Sequence, residues 1–470
     1  MDQGKAGQRV NVAFIAAIVA VATIGGFMFG YDSGVINGTQ EGIEKTFELS
    51  ELGTGVNVGA ILIGCAVGAF LAGRMADLIG RRNVMLIAAA IFVLSALGTG
   101  GAGSSAMFIL ARFIGGLGVG AASVLSPAYI SEVTPAGIRG RLSSIQQVMI
   151  ITGLTAAFLA NYLLAKWANG STGDFWMGYP AWRWMFWMQL IPATIFLISL
   201  MLIPESPRFL VSKGRIEQAE GVLTRLFGPD FARTKVAEIR GSLAEDHRPR
   251  LSDLIDPSSG RLRLIVWAGI GLAVFQQLVG INIVFYYGAV LWRAVGYTES
   301  DALATNIISG TVSILACLVA IAAIDKIGRK PMLLIGSAGM AITLGLMAIA
   351  FSTGTLGADG TLQMSSGMGL LAFYSAIAYA ALFNFSWGPV MWVMLGEMFP
   401  NQMRGSGLAV SGFAQWIANF AIVVSFPWLL KNIGLPVTYG FYAVSAAVSF
   451  VFVMKLVHET RGRELEEMQG

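Results

Sequence analysis

Little in this chain is charged: 12% of its 470 residues are Asp, Glu, Lys or Arg, against 55% that are apolar. That ratio excludes an ordinary water-soluble domain and points to a protein that crosses a membrane many times. Histidine and cysteine are nearly missing, with two of each. His247 and His458 fall in polar segments with no Ser, His and Asp cluster around them, so an enzyme's nucleophile, acid and base are not assembled and no metal or cofactor is implied. Cys65 and Cys317 lie inside apolar runs in different halves, which speaks against a disulfide framework and for two small apolar residues. A GxxxxGK[ST] phosphate loop is also missing, which argues against direct ATP coupling. The nearest imitation, GGLGVG at Gly115–Gly120, follows no strand and lies in an apolar run, so it reads as close helix packing.

What the chain has in quantity is hydrocarbon-length segments. About 20 apolar residues cross a bilayer core as a helix. Runs of that kind lie near 10–36, 54–75, 83–101, 105–129, 143–166 and 182–203, then near 263–294, 302–324, 331–351, 367–396, 405–430 and 435–457. The expected fold is all-α, with twelve transmembrane helices in two six-helix bundles, 1–203 and 263–458. Between them, 204–262 is the one long hydrophilic stretch, a linker expected to hold short amphipathic helices such as Arg215 to Phe227; 459–470 forms a short tail. The first run is too long for a secretory signal and is not followed by a small-residue cleavage site. Lys and Arg crowd one set of loops and the linker, so both termini are expected in the cytoplasm. The net charge of +4 reports that topology rather than a nucleic-acid partner. NGT at Asn37 and NGS at Asn169 fall in outer loops as sequons, a weak signal for glycosylation.

The two halves repeat each other in charged motifs. GRMADLIGRR (Gly73 to Arg82) after span two matches DKIGRK (Asp325 to Lys330) after span eight. SEVTPAGIRGR (Ser131 to Arg141) after span four matches GEMFPNQMRGS (Gly396 to Ser406) after span ten, each with a Glu seven residues before an Arg. PESPR (Pro204 to Arg208) matches HETRGR (His458 to Arg463). Three motifs in one order indicate a parallel duplication. Arg74, Asp77, Arg81, Glu132, Arg139, Arg141, Glu205 and Arg208 in the first half, with Asp325, Arg329, Glu397, Arg404 and Glu459 in the second, are candidate gating ion pairs. Glu132 and Glu397 are expected to reach Arg groups of the facing half, so that these bonds break when the inside opens.

These motifs, with RFIGGLGVG (Arg112 to Gly120), PESPRFL, QQLVGINIVFYY (Gln276 to Tyr287), WGPVMWVMLGEMFP (Trp387 to Pro400) and the ETRGR ending, resemble the sugar porter family of the major facilitator superfamily over nearly the whole chain. The resemblance implies a monosaccharide carrier, with proton-coupled xylose and hexose symporters and passive glucose facilitators both among its relatives. A sugar ring needs donors and acceptors for its hydroxyls and an aromatic surface for its C–H faces. Gln147 in span five, Gln276, Gln277, Asn282 and Tyr286 in span seven, Gly388 and Trp392 in span ten, and Gln415, Trp416 and Asn419 in span eleven supply these. Asn282 and Tyr286 share one helical face, as do Gly388 and Trp392, where the glycine leaves room for a ring beneath the indole. In span eight, where the resemblance implies an Asn that reaches the sugar, this chain has Ser313.

Asp32, in GGFMFGYDSGVING, is alone among 27 acids in lying well inside a span, and Arg112 is alone among the bases. By helix rise they lie roughly 6 and 10 Å below the outer surface, close enough to pair, as an intramembrane charge requires. A carboxylate whose partner or water access changes between two conformations can load and release a proton. Asp32 is thus the expected proton-coupling residue, with Arg112 tuning it. The resemblance implies that symporters carry Asp in this motif, whereas the Glu that proton-coupled relatives have in span six is Gln189 here. A buried pair that merely fixes spans one and four is the structural alternative. The expected function is alternating-access transport of glucose or xylose, by proton symport first and uniport second. A membrane enzyme lacks its catalytic cluster, and a non-transporting sugar sensor lacks the long cytoplasmic tail expected of one. Sugar, protons and the lipid bilayer are the partners implied; no nucleic acid or obligate protein partner is.

Overall fold

The structure is a computed structural model, and it describes residues 11–134, 136–245, 250–257, 259–357, 361–400 and 403–461, except the side chains of 136–144 and 242–245. Twelve helical stretches are long and apolar enough to cross a membrane: Val12–Gly38, Glu51–Ile79, Arg81–Gly100, Ser105–Val133, Ile145–Trp167, Ala181–Leu202, Leu264–Ala294, Glu299–Ile327, Arg329–Ser352, Ser366–Met398, Arg404–Asn432 and Leu435–Leu456. Spans two and eight outrun their apolar cores because capping, rather than hydropathy, sets their ends. Ser50 and Thr298 accept from the amides of Gly53 and Asp301 at the starts, and Gly80 and Gly328, both at φ +103°, close the ends. In the linker, a helix at Ile216–Phe227 lies within a residue of the expected one.

Three spans are broken, each at a residue that explains the break. Span seven divides into Leu264–Leu278 and Ile281–Ala294 at Gly280, whose φ of +80° favours a residue without Cβ. Span ten divides at Ser386. Pro389, three residues on, has no amide to give Phe385 and its ring crowds that carbonyl. In span six, Pro192 has the same relation to Met188, where Ala181–Trp187 ends and Leu190–Leu202 follows. GGLGVG packs as expected: a Cβ on Gly116 would lie 2.1 Å from the Ile61 carbonyl oxygen, so spans two and four touch backbone to backbone.

With twelve spans, the start of the first and the end of the last come to one face, here the terminal face, and the opposite one is the far face. At the terminal face the charged motifs build the same clamp twice. Arg81 meets Asp77 at 3.0 Å and Glu132 at 3.3 Å, and Glu205 accepts from the Arg82 amide. Arg329 meets Asp325 at 3.0 Å and Glu397 at 2.8 Å, and Glu459 accepts from the amides of Arg329 and Lys330. Even the hydroxyl partner is duplicated, with Ser206 donating to Glu132 and Thr460 to Glu397. This corrects the expectation that Glu132 and Glu397 reach across: their Arg partners belong to their own halves. Each Glu, at the end of one span, meets the Arg that opens the span before it in the same half, a proximity invisible in sequence spacing. Arg208 lies within electrostatic reach of Glu132. Arg74 is exposed and Arg404 half-buried at the start of span eleven. The side chains of Arg139 and Arg141, and His247 and Arg463, lie outside the described residues.

Candidate functional site

The halves are joined at the far face. Near it, Gly55 and Gly59 of span two fit against Val424 of span eleven, and Gly310 of span eight fits against Thr155 of span five. Ion pairs rim the joint, Arg293 with Glu41 and Lys431 with Glu51. Beneath them lies a buried polar latch. The Asn37 amide donates to the Phe285 carbonyl (2.7 Å) and accepts from the Ala289 amide (3.1 Å) and from Asn306 Nδ2 (2.8 Å). Phe285 O and Ala289 N are the two groups an α-helix pairs with each other. One Asn side chain thus grips the backbone ladder of the second piece of span seven. Gln40 donates to the neighbouring Tyr286 carbonyl, and Gly288 leaves room for the Asn37–Asn306 contact. Asn37, Gln40 and Asn306 escaped sequence reading. The sequon at Asn37 falls in a 3₁₀ turn that continues span one, and its side chain is sealed from any glycan transferase in this state.

The amides expected to bind sugar in the second half form one connected chain. Gln415 Nε2 donates to Gln276 Oε1 (3.3 Å), as does Gln277 Nε2 (3.2 Å). Asn282 Nδ2 contacts Gln277 Oε1 (2.7 Å) and Asn419 Oδ1 (2.8 Å). Gln276 is itself held by the Trp387 carbonyl at the break in span ten (3.0 Å). Both helix breaks therefore bear on this chain, since Gly280 separates Gln276 and Gln277 from Asn282. Such a network fixes each amide's orientation while leaving Gln415 Oε1 without a partner among the described residues.

The remaining expected positions divide. Trp392 is 39% exposed, an indole with a free face, whereas Trp416 is buried against Phe29 of span one, ring centroids 5.8 Å apart. Gly388 is buried, with Phe383 and Asn384 about where a side chain would point. Ser313 is fully buried and its hydroxyl has no partner among the described residues. Gln147 is half-buried; its neighbour Gln146, which sequence reading passed over, is buried against Gly26 with its amide unpartnered among the described residues.

Asp32 and Arg112 meet at 3.1 Å with 2% and 1% of their side chains exposed. The second Asp32 oxygen and Arg112 Nε find no partner among the described residues, so the pair is not saturated. Phe186 of span six faces the guanidinium, with its ring centre 5.9 Å away. Three residues beyond it, Gln189 is buried, its amide without a partner among the described residues. Ser33, next to Asp32, faces the Tyr286 hydroxyl across the joint between the halves. The buried charge is thereby one residue from this contact on one side, and Asn282 of the amide chain is one helical turn from it on the other.

Twelve spans in two repeated sets, three of them broken, with a far-face seal and amides gathered at the breaks, define a membrane transporter of the major facilitator fold. The chain belongs to the sugar (and other) transporter family, which matches residues 18–470. It is 48% identical over 459 residues to the glucose transport protein of Synechocystis sp., covering 97% of each chain. It is 38% identical over 498 residues to the D-xylose-proton symporter of Escherichia coli, covering 98% of this chain and 96% of that one. Among solved structures it resembles the inward-open xylose transporter XylE from E. coli with a TM-score of 0.81, and the same transporter bound to 6-bromo-6-deoxy-D-glucose with 0.78. Both are 37% identical and cover 97% of this chain and 99% of theirs. The protein is a multi-pass membrane carrier that moves sugar by alternating access, and it is not an enzyme.

Proposed function

We propose that this chain carries glucose or xylose into the cell together with a proton, from the plasma membrane, with both termini in the cytoplasm. The observation that carries the reading is the buried and unsaturated Asp32–Arg112 pair, one residue from Ser33, which faces Tyr286 one helical turn beyond Asn282 of the amide chain. Gln147, Gln276, Gln277, Asn282, Tyr286, Gln415 and Asn419 replace the sugar's hydration, Trp392 covers a ring face, and Ser313, Gly388 and Trp416 shape the remaining wall. The two six-helix bundles rock about that site. Asp32 takes its proton when the far face is open, and Arg112 displaces it when the halves meet there. The terminal-face clamps hold each bundle's spans together. A relative named as a D-xylose-proton symporter and another named as a glucose transport protein support this substrate class.

Gln189 favours a second reading, passive uniport, because a buried neutral amide in span six offers no second site for the proton. Uptake of labelled glucose and xylose into sealed proteoliposomes, with and without an inward proton gradient, separates the two. Symport requires accumulation above the outside concentration that disappears in Asp32→Asn while sugar exchange survives. Equilibration indifferent to the gradient establishes uniport and leaves Asp32 a structural partner.

A further inference from the structure

Between spans five and six the chain forms a two-stranded hairpin, Asp174–Trp176 with Tyr179–Pro180, that sequence reading did not expect. Its tip is Met177–Gly178, both at positive φ (+56° and +74°). Such a turn is ordinarily Asn-Gly or Asp-Gly, residues that accept the left-handed region and like water. Here a methionine bears the steric cost and stands 71% exposed, beside Trp176 at 62%. An apolar tip in a costly conformation is unexplained if it merely projects into solvent.

The hairpin does not project. Trp176 packs on Trp184 with centroids 5.1 Å apart, and the Trp184 indole donates to the Trp176 carbonyl at 3.1 Å. Tyr179 packs edge-on against Trp187 at 5.2 Å. Trp187 lies six residues inside span six, about 9 Å along its axis, so the strands fold back along the flank of the span. That flank faces outward: Trp184 and Trp187 head a stripe that continues through the exposed Ile191, Ile195 and Ile198. The stripe is the lipid-facing side of a membrane span, and the hairpin is continuous with it at the depth where a bilayer passes from hydrocarbon to headgroups. Indole and phenol rings with one apolar and one polar end are suited to that layer.

We infer that the hairpin is a bilayer anchor, with Trp176, Met177 and Tyr179 embedded in the headgroup layer of the far leaflet. It also touches the joint between the halves, because Ser171, which leads into it, donates its amide to Glu299 at the start of span eight (2.9 Å). The hairpin between spans nine and ten, Thr355–Leu356 with Leu362–Gln363, carries no aromatic residue. The anchoring is therefore one-sided, holding the first half.

The test is nitroxide labelling of the full chain in phosphatidylcholine and phosphatidylglycerol vesicles. Cys65 and Cys317 are buried, so an introduced thiol takes the label. Power saturation compares oxygen, which partitions into lipid, with a water-soluble nickel chelate. Met177→Cys is expected to shift toward oxygen, nearer to Ile195→Cys on span six than to Gln218→Cys on the exposed linker helix. As a label-free check, Trp176→Phe is expected to lose part of the quenching given by lipids brominated near the glycerol. A nitroxide at 177 that matches position 218, or a Trp176 emission quenched by aqueous iodide and untouched by brominated lipid, overturns the inference.

Discussion

Replacing Gly55 by valine perturbs the far-face seal at its tightest backbone contact. A Cβ at this position lies 2.3 Å from the Val424 carbonyl oxygen and 3.0 Å from its carbon. Neither atom can rotate aside as a side chain would, so spans two and eleven must move apart wherever the seal forms. Overpacking of this kind costs about 1–3 kcal/mol. Since the cost falls only on the conformation closed at the far face, it converts into a shift of about 5- to 150-fold toward the open one. Net sugar uptake into proteoliposomes is expected to fall within that range. Binding survives, because the amide chain belongs to the second half, so sugar still raises the melting temperature. Gly73→Ala, in the same span with nothing within 4 Å of its Cβ position, is the matched control and transports normally. Uptake by Gly55→Val equal to that of native protein and of Gly73→Ala would refute the reasoning, for the seal could then not be part of the cycle.

Arg112→Ala leaves the Asp32 carboxylate buried without its partner and is expected to lose about 3–5 kcal/mol of stability, whereas Asp77→Ala, at an exposed i,i+4 pair, changes it by about 0–1 kcal/mol; thermal unfolding of the two in detergent measures the difference. Asn282→Ala strips Gln277 and Asn419 of a contact each and is expected to weaken sugar binding by about 1–3 kcal/mol, read by calorimetry. Asn37→Ala releases the second piece of span seven and is expected to slow net uptake more than it weakens binding; equal losses in both would place Asn37 in the sugar site instead. Glu132→Gln and Glu397→Gln, at equivalent places in the repeated clamp, are expected to lower the melting temperature by similar amounts.

The span pattern was legible because hydrophobic runs of the required length leave few alternatives, and the bounds differ mainly where Ser50, Gly80 and their repeats cap helices beyond the apolar core. The Asp32–Arg112 contact was legible for a related reason, as an acid and a base standing alone in hydrocarbon have little choice of partner. Partner choice failed at Glu132 and Glu397, where many arginines compete at a polar face and spacing along the chain does not say which half supplies one. Asn37 was hidden for a different cause. Its acceptors and donors at Phe285 and Ala289 are main-chain groups, and nothing in the identity of those residues announces them. The hairpin at 174–180 was hidden because Met-Gly is not a turn signature.

That Asn37 binds main chain carries a consequence for how such a carrier diversifies. A contact with a carbonyl and an amide is indifferent to the side chains at 285 and 289, provided the helix keeps its register and Gly288 stays small. The inward-facing Asn282 of the same fourteen-residue segment, whose partners Gln277 and Asn419 lie in the second half, can then be exchanged for another residue without loosening the closure. Selection for a new sugar and selection for a leak-free membrane act on different atoms of one helix, so a lineage can alter what it imports without first learning again how to shut the door.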